Sequence, residues 1–376
     1  MMKCSIIIPT YNRPQYLKRI LSYYDECGAA YNIIVADSSS DEMKKVNEET
    51  ISLPTNLSIY YINTYPTTID GLHKIVDALN YVKTKYSVFC ADDDFITPNG
   101  IDKSLDFLEE NPDFAIAHGN TASFYLKDNR QGNQQFYWKH IYCSSKSIIF
   151  PDPGERIASH LRDYHPTFYA VHRTDLLRMI FKETARFASD GRFGELLPSA
   201  LTLIDGKLKH LDILYGARES IPGSGGQTSE GLISFMRSDT YNDKYANFKI
   251  CLSTHLSKQS HLSIEESGKV VDDAMECYLR KRFGHNYEHI SLIERMGNIL
   301  NRSRLPSQLD GMIRASYRAL FVAKKKAVSP VSLEISPTSE YFDDFQRIRL
   351  HVLSHANLKG TKSENWISDN GQTEVN

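Results

Sequence analysis

Short apolar runs typical of strands alternate with amphipathic patterns typical of helices along the first third of this 376-residue chain. The runs are rich in β-branched residues, and the stretches between them repeat apolar residues every three or four positions. This alternation predicts an α/β fold with a mostly parallel sheet and helices on both faces. Ligands of such sheets bind beyond the carboxyl ends of the strands. The strands are predicted at 5–8, 32–35, 58–62, 87–90 and 115–117, and the helices at 15–26, at 69–79 after a Thr68 cap, and at 98–110 after a Thr97 cap.

The pattern changes further along the chain. A strand at 168–171, helices at 175–181 and 193–204 and a strand at 209–215 precede a glycine-rich stretch at 223–226, where a loop could order over a bound ligand. Beyond it the periodicity is helical, with candidates at 264–283, 290–300 and 309–326. We therefore predict an α/β domain over 1–230, a helical C-terminal region over 231–358 and a polar, disordered tail over 359–376.

Composition excludes several classes of protein. A formal net charge of -2 provides no overall attraction to nucleic acid or to an anionic membrane, so no nucleic-acid partner is expected. The six cysteines include no Cys-x-x-Cys pair, which argues against a zinc ribbon and fits a reducing cytoplasm. The apolar run at 6–8 is too short for a signal peptide, and no stretch reaches the length of a transmembrane helix. We expect a cytoplasmic protein.

Three consecutive carboxylates, Asp92, Asp93 and Asp94, directly follow the predicted strand at 87–90. In an extended chain Asp92 and Asp94 would point to one side and Asp93 to the other. Two carboxylates at a strand end suit a hard divalent cation such as Mn²⁺ or Mg²⁺, whose coordination is often completed by phosphate and water. The alternative interpretation is a solvated acidic turn before the next helix.

Two further strand ends carry polar residues that could meet a nucleotide. Pro9, Thr10, Tyr11 and Arg13 lie in the loop after the first strand, although proline and asparagine are also ordinary turn residues. Asp37 ends the second strand and could accept a hydrogen bond from a base or a ribose. The alternative role for Asp37 is to cap the following helix.

Together, these segments resemble glycosyltransferase family 2. Ser-Ile-Ile-Ile-Pro-Thr-Tyr-Asn-Arg at 5–13, Val-Ala-Asp-Ser-Ser-Ser-Asp at 35–41 and Asp-Asp-Asp at 92–94 occur in the family's order and spacing. The resemblance implies a GT-A fold, which is Rossmann-like, an NDP-sugar donor (a UDP-sugar favoured), a divalent metal and inversion at the anomeric carbon. It assigns nucleotide binding to Pro9, Thr10, Tyr11, Arg13 and Asp37, and ribose and metal binding to Asp92 and Asp94. Asp93 is counted with Asp92 among the candidate residues for binding the donor.

The chain departs from the family pattern at the catalytic base. The family carries a Glu-Asp pair at a helix start, whereas residues 189–196 read Ser-Asp-Gly-Arg-Phe-Gly-Glu-Leu. Glu195 matches best by its Phe-Gly context, and Asp190 is the alternative. Where some relatives place a metal-binding histidine, this chain has Arg218, which cannot ligate a metal but can pair with a phosphate.

The acceptor side is less well defined by the sequence. His165 and the segment around Trp138 and His140 are candidates to line it, although His165 is equally typical of a turn. The predicted helix at 309–326 has a basic face that could contact an anionic membrane surface peripherally, or it could pack its apolar face on the catalytic domain.

The resulting prediction is a metal-dependent glycosyltransferase that transfers a sugar to a glycan or a lipid-linked acceptor, as in bacterial surface polysaccharide synthesis. Two alternatives remain. A sugar nucleotidyltransferase would use similar carboxylates, but such enzymes carry a glycine-rich basic loop after the first strand, and 9–14 contains no glycine. A non-catalytic sugar-binding protein on a decayed transferase fold would explain the missing Glu-Asp pair.

Overall fold

The computed structural model describes residues 2–128, 134–142, 146–188, 191–221, 235–236, 238–283, 337–339 and 341–356. Its strands are β1 (Cys4–Thr10), β2 (Asn32–Asp37), β3 (Ser58–Ile62), β4 (Tyr86–Phe89), β5 (Phe95–Ile96), β6 (Phe114–Asp128), β7 (Gln134–Tyr142), β8 (Val171–Arg173) and β9 (Lys207–Glu219). Its helices are α1 (Pro14–Glu26), α2 (Asp41–Ile51), α3 (Gly71–Asn80), α4 (Pro98–Glu110), α5 (Pro153–Arg162), α6 (Thr174–Phe187), α7 (Gly191–Asp205), α8 (Tyr241–Gln259), α9 (Ile264–Phe283) and α10 (Phe342–His355).

The strands form one sheet in the order β3-β2-β1-β4-β8-β6-β9-β5, with β7 paired to β6. β3, β2, β1 and β4 run parallel, and β6 runs parallel to β9. β8 is antiparallel to both β4 and β6, so β6 and β9 point in the same direction as β1. The carboxyl ends of β1, β2, β4 and β9 therefore meet at one edge of the sheet, as the α/β prediction requires.

Successive residues of the central strands face opposite sides of the sheet. In β1, Ile7 belongs to one buried cluster, whereas Ile6 and Ile8 belong to another. Helices α3 and α5–α7 cover the first face, with α8 and α9 packed outside them, and α1, α4 and α10 cover the second. Because both faces are buried, these strands consist of nearly continuous apolar runs rather than alternating ones.

Helix starts follow the capping chemistry in the sequence, with one correction. Thr97 caps α4, and Pro98 takes the first helical position, as predicted. The predicted Thr68 cap is wrong: Asp70 caps α3 by accepting hydrogen bonds from the amides of Leu72 and His73. Aspartate is at least as good a cap as threonine, so the helix begins at the later candidate.

Other elements differ from the sequence-based expectation. The strand predicted at 168–171 is β8 at Val171–Arg173, and the pattern missed α2, α5 and the long β6–β7 hairpin. In the hairpin, polar and aromatic residues of both strands pair across it, including Phe124 with Trp138 and Tyr125 with Tyr137. Such cross-strand pairs stabilise a ribbon without the apolar run that identifies a central strand.

The described helices beyond residue 230 pack onto the rest of the domain, α8 and α9 against helices α5–α7 and α10 against α1 and β7. Phe248, Leu252 and Val271 of α8 and α9 are buried in the first cluster, and Phe345 of α10 packs edge-on against Trp138 in the second. The division at 230 stays a prediction. The helices expected at 290–300 and 309–326, the glycine-rich stretch 223–226 and the tail from 359 lie outside the described residues. Among the helices that are described, none has the length and apolar character needed to cross a bilayer.

Candidate active site

Charged side chains gather at the edge where β1, β2, β4 and β9 end. The aspartate triplet follows β4, and the two-residue strand β5 after it pairs with Gly216 and Ala217 of β9. A Cβ on Gly216 would lie 2.8 Å from the carbonyl oxygen of Phe95, so only glycine permits this close pairing. The pairing brings Asp94 next to Arg218 and Glu219.

The backbone of the triplet is a turn rather than an extended strand. The amide of Asp94 donates to the carbonyl of Ala91 at 3.1 Å, which places Asp92 and Asp93 at the two central positions. The predicted alternation of side chains is therefore wrong here, because it holds only for an extended backbone. Arg13 contacts Asp92 and Asp93 together, so these two are not on opposite sides.

Asp92 is held by the loop that follows β1. Its carboxylate is fully buried, accepts a 2.7 Å hydrogen bond from the Thr10 hydroxyl, and pairs with the Arg13 guanidinium. A second nitrogen of Arg13 lies 2.8 Å from the Asp93 carboxylate. Two of the predicted nucleotide-loop residues, Thr10 and Arg13, thus directly contact the predicted metal ligand Asp92.

Asp94 is held from the other half of the domain. Its carboxylate accepts hydrogen bonds from the Tyr169 hydroxyl at 2.9 Å, from Nε of Arg218 at 3.2 Å and from the amide of Glu219 at 3.0 Å. Arg218 also lies over the ring of Tyr169. Sequence reasoning had identified Arg218 but not Tyr169 or Glu219.

Burial disfavours the ionised forms of Asp92 and Asp94. It raises the pKa of Asp92 to about 7 and that of Asp94 to about 6; Arg13 opposes the first rise, and Arg218 the second. Both groups offer only oxygen, the donor that Mg²⁺ and Mn²⁺ prefer. Asp92 accepts bonds from Thr10 and Arg13, and Asp94 from Tyr169, Arg218 and Glu219, so each keeps acceptor capacity, since an ionised carboxylate has about four acceptor positions. The donor set therefore fits a hard divalent cation.

The loop after β1 is tied to the end of β2. Asn12 adopts a left-handed backbone with φ of 51°, which asparagine tolerates better than most residues. Its amide donates to the Ser39 hydroxyl at 2.8 Å, and its side-chain oxygen accepts from the amide of Ser40 at 2.8 Å. Pro9 and Tyr11 are half-buried in the same loop.

Asp37 is fully buried and already satisfied by the chain. It accepts from the amide of Ser39 at 2.7 Å, from the Asn47 side chain at 2.7 Å and from the Tyr61 hydroxyl at 2.6 Å. It does not cap α2, because Ser40 takes that position. These bonds organise the turn after β2, and base recognition by Asp37 stays a prediction.

Lys74 of α3 was missed by sequence reasoning. It is only 6% exposed, and its ammonium donates to the Thr10 carbonyl at 3.0 Å and to the Ser38 hydroxyl at 2.8 Å. Burial lowers its pKa to about 8, although Asp92 and Asp37 favour the charged form. One signal was available: Lys74 lies four residues before Ala78, on the buried face of an amphipathic helix, where a lysine is rare.

Arg19 of α1 is a second buried cation that the sequence did not reveal. It is 4% exposed, donates to the Asp93 carbonyl at 2.9 Å and forms an ion pair with Glu219 at 2.7 Å. This pair links the aspartate turn to the end of β9. No motif indicates it, since Arg19 lies within an ordinary helix pattern.

Of the two candidates for the catalytic base, the structure describes only Glu195. Asp190 lies outside the described residues. Helix α7 begins at Gly191, so Glu195 belongs to its second turn rather than to the helix start. The exposed Glu195 carboxylate accepts a 3.1 Å hydrogen bond from the Tyr164 hydroxyl. A series of ring contacts leads from Tyr164 toward the aspartates, through His160, His165, His118 and Tyr215. The Tyr215 hydroxyl donates to the Tyr169 carbonyl, and the Tyr169 hydroxyl donates to Asp94.

Two acceptor-side candidates are packing residues. Trp138 is 6% exposed and packs against Phe124 and Phe136, so it is part of the core rather than a sugar-facing surface. His165 lies in the loop before β8, and its ring stacks on that of His118. For His140 the structure describes only the backbone, in β7.

Comparisons with known proteins agree with this architecture. The model of glycosyl transferase family 2 matches residues 5–183. The chain is similar to Staphylococcus aureus TarS 1-349 in complex with UDP-GlcNAc, with a TM-score of 0.52 and 16% identity over 76% of this chain and 73% of that one. It also matches the mannosyltransferase PcManGT from Pyrobaculum calidifontis in complex with GDP-Man and Mn²⁺, with a TM-score of 0.43 and 11% identity over 94% and 86% of the two chains. The segment 5–183 belongs to glycosyl transferase family 2, and this chain is a glycosyltransferase of the GT-A fold.

Proposed function

We propose that this enzyme transfers a sugar from an NDP-sugar, with a UDP-sugar favoured, to a glycan or lipid-linked acceptor, with inversion and with Mn²⁺ or Mg²⁺ held by Asp92 and Asp94. One observation carries the proposal. Two buried carboxylates stand at the strand ends of a family 2 domain, and each is paired with an arginine that can also bind phosphate. TarS was solved with UDP-GlcNAc and PcManGT with GDP-Man and Mn²⁺, which supports an NDP-sugar donor for this chain.

The arginines act as counterions that a divalent cation could replace. Without a ligand, Arg13 and Arg218 neutralise Asp92, Asp93 and Asp94. Asp92 and Asp94 would hold a divalent cation, whose charge would replace that of the arginines, and both guanidiniums would then be free to pair with diphosphate oxygens in bidentate fashion. Arg218 is 51% exposed in its side chain, so it can swing toward a ligand. Lys74 stays buried beneath the β1 loop and supports its backbone.

The transfer requires a leaving diphosphate on one side of the sugar and a base on the other. The metal, when bound, stabilises the negative charge on that diphosphate. Arg13 and Arg218 orient the diphosphate, and Tyr169 keeps the Asp94 carboxylate in place. Glu195 accepts the proton of the acceptor hydroxyl, and Tyr164 holds its carboxylate; Asp190 is the alternative base. We assign the reaction to surface polysaccharide synthesis and locate the enzyme in the cytoplasm.

The test measures donor binding and turnover in Asp94→Asn. Substitution keeps the side-chain size but removes a charged metal ligand. We expect Mn²⁺-dependent binding of a panel of NDP-sugars, measured by calorimetry, to be lost and the rate to fall by about 10² or more. Asp175→Asn is the control, because the side chain of Asp175 is 98% exposed and remote from the sheet edge.

Product analysis separates the proposed reaction from its alternatives. A glycosyltransferase releases a nucleoside diphosphate, whereas a sugar nucleotidyltransferase releases pyrophosphate from a nucleoside triphosphate. Full activity in excess chelator, or an Asp94→Asn enzyme as active as Asp175→Asn, would refute the metal assignment. Binding of sugar without release of any nucleotide would indicate a non-catalytic protein.

A further inference from the structure

A second group of possible metal ligands lies between α6 and α8. It comprises Glu183, Cys251 and His255, and one ligand atom from each lies within 4.8 Å of the other two. The distance between His255 Nε2 and Glu183 Oε2 is 3.7 Å. No other group of three or more such ligand atoms this close was found in the described part of the chain. The group shares no residue with the carboxylates at the sheet edge.

Helix geometry produces this arrangement. Cys251 and His255 are four residues apart on α8, so they lie on one face of that helix, one turn apart. Glu183 is in the last turns of α6, which packs against that face. Cys251 is 1% exposed, and the side chains of His255 and Glu183 are 16% and 28% exposed. The group is therefore enclosed on its inner side and open to solvent on its outer side.

The residue types and spacing suit zinc. Zn²⁺ binds thiolate, imidazole and carboxylate in tetrahedral sites, and two nitrogen or oxygen ligands of such a site lie about 3.3 Å apart. The 3.7 Å between His255 and Glu183 needs only a side-chain adjustment of a few tenths of an ångström. One thiolate, one carboxylate and a neutral imidazole also balance the two positive charges of the ion, which favours a half-buried site.

A further carboxylate lies near this group. One oxygen of Asp205, which interacts electrostatically with His255, is buried and has no hydrogen-bond partner among the described residues. A bound dication would stabilise that carboxylate in its charged form.

We propose that Glu183, Cys251 and His255 form a zinc site that fastens α8 to α6, with a fourth position open to water. Binding deprotonates the Cys251 thiol and releases that proton to solvent; no electron is transferred. The site stabilises the attachment of the C-terminal helices to the catalytic domain. It does not depend on the proposed sugar transfer, because its ligands belong to the outer helices.

The experiment titrates Co²⁺ and then Zn²⁺ into the full chain after treatment with a chelator. Cobalt is the probe because its bond to a thiolate gives a near-ultraviolet charge-transfer band, which oxygen ligands at the sheet edge do not give. We expect one band-forming Co²⁺ per chain, displaced by one Zn²⁺. Cys251→Ser should abolish the band, and Cys277→Ser should keep it, since Cys277 is an exposed cysteine on α9.

A second variant provides a test that remains decisive if the chain with Cys251→Ser, a change at a buried residue, does not fold. Glu183→Gln keeps the shape of a partly exposed residue, so the chain should fold while its zinc affinity falls by at least about 100-fold. Asp94→Asn should retain both the band and the zinc affinity. Absence of the band in the parent chain, its survival in Cys251→Ser, or unchanged zinc affinity in Glu183→Gln overturns the proposal.

Discussion

Five histidines packed around the loop before β8 make this fold sensitive to acid. His118, His160, His165, His172 and His210 come from four elements and that loop, with ring centroids about 5.5–5.7 Å apart where they touch. Burial lowers the pKa of His160 to about 3 and that of His172 to about 4, and it lowers the pKa values of the other three as well. The folded protein therefore keeps these imidazoles neutral at pH values where the unfolded chain protonates them.

The size of the effect follows from linkage. A histidine with a depressed folded pKa contributes its full stability above the unfolded pKa of about 6.5, and that contribution is lost as pH falls. At pH 5, about 1.5 units below the unfolded pKa, protonation stabilises the unfolded chain by about 1.4 kcal/mol per pH unit. This amounts to about 2 kcal/mol for each histidine that stays neutral in the folded protein. His160 and His172 alone cost about 4 kcal/mol, a large part of a typical folding free energy of about 5–15 kcal/mol.

His160→Leu tests this reasoning. Neither ring nitrogen of His160 has a hydrogen-bond partner among the described residues, so an apolar side chain of similar volume should change stability at pH 7.5 by less than about 1.5 kcal/mol. Between pH 7.5 and 5.0 the variant should lose about 2 kcal/mol less than the parent, measured from urea unfolding curves. His261→Gln is the control, because His261 is exposed in the loop between α8 and α9. Equal losses in the parent and His160→Leu would refute the argument.

Three further predictions concern the sheet edge and the base. Asp37→Ala should lower the free energy of unfolding by at least about 1–3 kcal/mol, because it leaves buried hydrogen-bond donors without an acceptor. Tyr61→Phe removes one of those hydrogen-bond donors, and calorimetry of NDP-sugar binding to both variants separates base recognition from folding. Glu195→Gln should lower kcat by about 10²–10⁴ without changing donor affinity, and full activity would exclude it as the base. Mn²⁺ affinity should fall as pH drops from 7 toward 5, because protons compete for Asp92 and Asp94, whose pKa values are raised to about 7 and 6; a flat profile would place the metal elsewhere.

Much of the site could be located before any coordinates. Apolar runs end where a strand leaves the sheet, so Asp37 and Asp92–Asp94 could be assigned to one edge from periodicity and the α/β pattern alone. The order and spacing of three short segments then indicated the family, and the match over 5–183 confirms it. These features are local, and local sequence determines which residues terminate a strand or begin a helix.

Only the tertiary structure decided how those charges are balanced. Lys74 approaches Thr10 from 64 positions along the chain, Arg19 approaches Asp93 from 74, and Arg218 approaches Asp94 from 124. Such pairings depend on how helices pack and strands align, which no local pattern encodes. The turn at Asp92–Asp93 is similar: a run of aspartates fits an extended strand or a corner, and the pairing of β5 with β9 selects the corner. Periodicity thus identified the carboxylates, and long-range packing supplied the cations that make their burial tolerable.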